Sequence, residues 1–110
     1  MAGGAVAGAI SEVTGLDPAI KFPNDVLVHG KKVAGILAES SEGRVVLGIG
    51  INVNQADDQL PRDAQTEPTS LRIELGQAVD RAELLAAALA ELERAYDLWV
   101  NATAPLDDAV

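Results

Sequence analysis

At 110 residues and 11.4 kDa the chain has room for one small domain or a piece of a larger one. It has no cysteine and a single histidine, His29, which excludes a disulfide framework, a thiolate nucleophile, a Cys-based zinc site and a multi-His metal centre. The formal net charge of −9 argues against nonspecific nucleic-acid binding, which draws its affinity from Lys and Arg on phosphates, and against an anionic membrane surface.

The charge is uneven. Lys21, Lys31 and Lys32 lie close together in the first third while most acids come later, so an anionic small ligand has a place to bind. Phe22, Tyr96 and Trp99 are the only aromatics, leaving the core to Ala, Val, Leu and Ile. No apolar run approaches the ~20 residues a membrane span needs. The N-terminus lacks the basic region of a signal peptide, so no membrane partner and a cytoplasmic location are expected.

Residues 2–14 read as a helix of small residues, with Ala5, Val6, Ala9, Ile10 and Val13 at helical spacing and Gly15 as its cap. Gly3, Gly4 and Gly8 each cost roughly 1 kcal/mol against Ala inside a helix. They make sense only where something packs closely on them. A helix starting at the initiating Met without a cap also suggests a chain that begins mid-fold.

Strands are predicted at 19–22, 26–28, 32–39 and 44–54, an antiparallel meander joined by turns at Pro23, His29-Gly30 and 40–43. Gly48 and Gly50 fall two apart on one strand face. Residues 55–69 read as a polar surface loop. Thr69 or Ser70 caps a short helix to Leu75, ended by Gly76. Asp80 and Glu83 have capping-box spacing before a helix to about Val100. Leu85, Leu89, Leu92, Tyr96 and Trp99 form its apolar stripe and are expected in the core, with Glu91 and Arg94 on the exposed side. Residues 101–110 read as a frayed tail.

The strongest local signal is Lys21-Phe22-Pro23-Asn24-Asp25-Val26, a polar corner at a strand end. It is either an Asx turn, with Asn24 and Asp25 bonding their own backbone, or a binding corner. Of Lys31 and Lys32, alternate strand faces send one to solvent and allow the other into a cleft, where it can meet a phosphate or carboxylate. Gly48-Ile49-Gly50-Ile51-Asn52 lacks the third glycine and following helix of a dinucleotide fingerprint. His29, at a turn tip, and the Asp57-Asp58 pair read as solvated.

Together, KFPNDVLVHGKKVAGILAES from Lys21, VVLGIGINVNQ from Val45, PTSL from Pro68 and DRAELLAAALAELE from Asp80 resemble biotin–protein ligase in order and spacing. Phe22 stands where that family usually has Trp. The resemblance implies an α+β fold: a mixed, largely antiparallel sheet backed by helices, related to class II aminoacyl-tRNA synthetases and here truncated. Residues 1–100 would be part of the catalytic domain: helix and meander over 1–54, loop over 55–69, helices over 70–100. The family's glycine- and arginine-rich loop has no counterpart in the sequence.

The resemblance further implies ATP-dependent conversion of biotin to biotinyl-5′-AMP, then transfer to a lysine of a biotin carboxyl carrier protein. By resemblance Lys32 is catalytic and meets the biotin carboxyl and the α-phosphate. Asn24, Asp25 and Asn52 would lie near the nucleotide and its Mg²⁺, with Lys21 in support. Gly35 and Gly50 would give the ligand close backbone approach. A homodimer or a complementing chain is among the expected partners. Competing readings are a non-catalytic paralogue that binds a partner through an open sheet edge, and a lipoate–protein ligase relative.

Overall fold

The computed structural model describes residues 2–62 and 65–102. Helix α1 is Ala2–Thr14, followed by strands β1 (Ala19–Lys21), β2 (Asp25–Val28), β3 (Lys31–Ser41) and β4 (Arg44–Ile51), then helices α2 (Leu71–Leu75) and α3 (Arg81–Ala102). The strands form one antiparallel sheet in the order β1-β2-β3-β4. A single parallel bridge, Lys32 with Pro68, adds the only mixed feature among the described residues.

Two tight hairpins set the register. His29-Gly30 joins Val28 to Lys31, and Glu42-Gly43 joins Ser41 to Arg44. All four turn residues have positive φ, the pattern of the type I′ turn whose twist matches paired strands, and glycine in second place meets it without steric cost. The second turn is shorter than the 40–43 loop expected, because β3 runs on through Ser41.

The core is aliphatic. Val6, Ala9 and Ile10 of α1 pack with Val26, Val28, Ala34 and Ile36 on one sheet face, joined by Leu71, Val79, Leu84 and Ala88. The close packing expected on the α1 glycines holds at two of three. A Cβ on Gly3 would sit 3.7 Å from Ile20 and Ile36, and one on Gly8 would sit 3.3 Å from the Glu91 carboxylate, whereas Gly4 has open space.

That contact reverses the expected orientation of α3. Leu84 and Ala88 are buried, Glu91 is half-buried beside Gly8, and Leu85, Leu89, Tyr96 and Trp99 are each more than half exposed. The smooth surface of α1 accepts close neighbours, and α3 turns Leu84, Ala88 and the stem of Glu91 inward and most of its bulky stripe outward. Tyr96 and Trp99 pack on each other with ring centroids 6.2 Å apart.

The caps fall where the sequence puts them. Ser70 Oγ accepts from Ile73 N–H, and Gly76 closes α2 in the left-handed region. Asp80 Oδ1 accepts from Ala82 and Glu83 N–H at the start of α3. The 55–69 segment includes one 3₁₀ turn, Asp57–Gln59. Asp57 is not merely solvated, since Arg62 pairs with it at 2.8 Å. The expected frayed tail lies, from residue 103, outside the described residues. No described helix is long and apolar enough to cross a membrane.

Candidate functional site

The site begins with a defect in the sheet. Between β2 and β3 the pairing runs Asp25 with Gly35 and Val26 with Ala34, then jumps to Leu27 with Lys32. Val33 is thus an extra residue, a β-bulge. In a regular strand, residues three apart point to opposite faces. The bulge cancels one alternation. Val33 and Ala34 are both buried, and Lys32 and Gly35 come to share a face. A Cβ on Gly35 would begin 3.3 Å from Lys32 Cε and Nζ.

Across the ladder on that face, Asp25 pairs with Gly35 and Gly35 with Gly50, while Leu37 pairs with Gly48. The row Asp25, Gly35, Gly50 therefore crosses three strands with one side chain at its end. The result is an open cleft of about 620 Å³ with a bare backbone floor, lined by Asn24, Asp25, Lys32, Gly35, Gly48 and Gly50 among others. Lys32 Nζ lies 3.2 Å from Asp25 Oδ1, both side chains roughly two-thirds buried. The cleft thus presents a partly desolvated ammonium beside a flat floor, suited to an anionic, planar ligand.

Asn24 is held by its backbone, its carbonyl accepting from Ile36 N–H at 2.9 Å across the corner that contains the cis Phe22-Pro23 peptide. Two expected residues stand elsewhere. Lys21 Nζ donates to Thr66 Oγ1 at 2.8 Å and does not line the cleft. Asn52 falls just past the end of β4. Its N–H donates to Val33 O and its carbonyl accepts from Leu71 N–H, and it is not among the lining residues. Asn24, Asp25 and Asn52 are thus not gathered around one point of the cleft. No group of three or more His, Asp or Glu side chains suited to a metal occurs among the described residues.

A second polar cluster was not visible in the sequence. Glu74, its side chain 8% exposed, accepts from Thr69 Oγ1 at 2.5 Å and meets His29 Nδ1 at 2.6 Å. His29 is therefore paired and not simply a solvated turn residue. Burial pushes the Glu74 carboxyl up, but the hydrogen bonds from Thr69 and His29 and the charges of Lys31 and His29 outweigh it, leaving it below the usual range. The spacing from residue 29 to residue 74 carries no local pattern that could announce this contact.

The chain is similar to several known proteins. Residues 4–55 match the model of the biotin/lipoate A/B protein ligase family. The chain is 43% identical over 109 residues to the biotin–[acetyl-CoA-carboxylase] ligase of Mycobacterium tuberculosis, covering 96% of this chain and 39% of that protein. It is 41% identical over 97 residues to the bifunctional ligase/repressor BirA of Bacillus subtilis, covering 84% of this chain and 30% of that one. The biotin protein ligase of Aquifex aeolicus, solved in complex with biotin and ATP, superposes with a TM-score of 0.75 at 36% identity, covering 84% of this chain and 39% of the other. Over its matched residues the chain is similar to the biotin/lipoate A/B protein ligase family, and these relatives and solved structures are biotin–protein ligases. It spans about a third of the length of the curated relatives it matches.

Proposed function

We propose that the native protein is an ATP-dependent biotin–protein ligase and that the Lys32 cleft holds the reacting groups. The carrying observation is the bulge that aims Lys32 over the Gly35–Gly50 floor. The relatives' names and the Aquifex complex with biotin and ATP support the same reading. In the first step a biotin carboxylate oxygen attacks the α-phosphorus of ATP. The new O–P bond forms as the bond to the β-phosphate breaks, and pyrophosphate leaves. In the second step a carrier lysine amine attacks the activated acyl carbon and AMP departs.

The first step brings two anions together. Lys32 supplies positive charge where they meet and stabilises the charge developing on the phosphoryl oxygens. Asp25 keeps the ammonium directed at the floor. Gly35 and Gly50 let the ligand lie on backbone. A Mg²⁺ arriving on ATP would find oxygen donors in Asn24 and Asp25, a sparse set that suits an ion carried mainly by phosphates. Asn52 would contribute from the rim, and Lys21 supports the site indirectly through Thr66. The acceptor is a biotin carboxyl carrier protein, and the reaction belongs in the cytoplasm, where such carriers and ATP meet.

Lys32→Ala should lower biotin-dependent pyrophosphate release by about 10²–10³-fold, the scale of removing one charge-stabilising donor. Unchanged release would remove Lys32 from the reaction. The exposed β4 residues Val45 and Val46 favour a second reading, a non-catalytic protein or a dimer that pairs along this strand. Titration with biotinyl-5′-AMP separates the two, because saturable binding in the cleft belongs only to the ligase. Competition between biotin and lipoate tests the third.

A further inference from the structure

We propose that Glu74 is a positioning residue for Lys32, acting through Thr69; the inference rests on the ligase reading of the cleft. Lys32 adjoins the bulge, where ladder bonding is disrupted. Its backbone is held instead by the 67–69 segment: Lys32 N–H donates to Glu67 O, and Thr69 N–H donates to Lys32 O, both at 2.8 Å. The Cα–Cβ direction of Lys32, and so the reach of Nζ into the cleft, follows the placement of this segment.

The 67–69 segment belongs to no strand, and beyond its bridge to Lys32 it is tied down by side chains. Thr69 is 1% exposed, and its hydroxyl donates to Glu74 Oε2. The other Glu74 oxygen meets His29 of the β2–β3 turn. One buried carboxylate therefore ties the hairpin that carries Lys32 to the segment that clamps it. Burying a carboxylate is costly without such bonds, and the two offset that cost. Glu74 itself does not line the cleft, so its effect passes through Thr69 and the Lys32 backbone. Lys21, bonded to Thr66, steadies the same segment one residue earlier.

The test uses the native protein with Thr69→Val, Glu74→Ala and the conservative Thr69→Ser. In the first two, the Lys32 and Thr69 amides should exchange with solvent about tenfold faster, as expected for loss of a charge-assisted hydrogen bond. Amides of Ile10 and Leu84 should keep their rates. The kcat for biotinyl-5′-AMP formation should fall about tenfold while KM for biotin and for ATP stays within about twofold. Thr69→Ser should restore both readouts. Faster exchange throughout the core would make Glu74 a general staple of the fold and overturn the proposal, as would an unchanged kcat beside a loosened Lys32 amide. Lys32→Ala, assayed in parallel, keeps the two readings apart. Adenylation that survives it sinks the ligase role of Lys32, whereas adenylation lost there but untouched by Glu74→Ala sinks only the positioning role.

Discussion

The β2–β3 hairpin and helix α3 were equally conspicuous as sequence, yet they resolve in opposite ways. In the hairpin, polar side chains are tied into partners, even His29, which looks solvated: Lys32 pairs with Asp25 and His29 with Glu74. In α3, a stripe of large apolar residues that looks buried stands in the open. Burial here follows fit more than hydropathy. Gly8 on α1 takes the side chain of Glu91 at close range, while Leu84 and Ala88 join the aliphatic core. Leu85, Leu89 and Leu92 line an apolar groove beside Ile49, Ile51 and Val53.

The largest effect that would break this contrast is in the core. Ile10→Ala should cost about 2–5 kcal/mol, the range for truncating a fully buried aliphatic. Leu89→Ala, at the centre of the outward stripe, should change stability by no more than about 0.5 kcal/mol. Urea unfolding of the two variants decides it, and a large loss for Leu89→Ala would put the stripe back in a core. Next comes Gly35→Ala. The added methyl meets only the flexible end of Lys32, so the fold should tolerate it. The ammonium is displaced, however, and adenylation should fall by about tenfold or more at an unchanged Tm, because small misplacements of reacting groups are expensive.

Gly8→Ala sharpens the contrast from the other side. Its methyl would press on the Glu91 carboxylate, which can swing aside, while the helix gains about 1 kcal/mol of propensity. The net change should be a gain of up to about 1 kcal/mol, whereas Gly8→Leu, which would wedge α1 from α3, should cost about 1–3 kcal/mol.

The smallest effect concerns pH. Because the Glu74 carboxyl is held below its ordinary value, its contribution is complete above the unfolded carboxylate range and is lost as pH falls through the folded value. Glu74→Gln should therefore flatten the acid limb of the stability profile, measured by urea unfolding from neutral pH downward. A profile that keeps its slope would show that Glu74 carries no such share.

What was legible in the sequence is what local physics determines. The X-Gly turns, the Ser70 and Asp80 caps and the four strands each follow from a few adjacent residues. The polar corner at Asn24 and Asp25, Lys32 and the paired glycines could be picked out as candidates because their spacing is short and the resemblance is specific, and the structure brings them to one cleft. The bulge at Val33 could not. It depends on whether two consecutive residues can both reach the core, and that is settled by α1 and Leu71, far along the chain. The same limit hid the Glu74 cluster and the strand end that leaves Asn52 out of the cleft lining. It also hid the facing of α3, since the moment of an amphipathic stripe says nothing about the shape of the surface offered to it.

The central claim is that the bulge and the glycine row make the Lys32 cleft the place where the activated ligand lies. The most direct measurement is a titration of biotinyl-5′-AMP followed by backbone amide NMR. Saturable shifts should be confined to Asn24, Asp25, residues 32–37 and residues 48–50. Shifts concentrated instead along Leu85, Leu89 and Leu92 in the α3 groove, or no saturable shift at all, would contradict it.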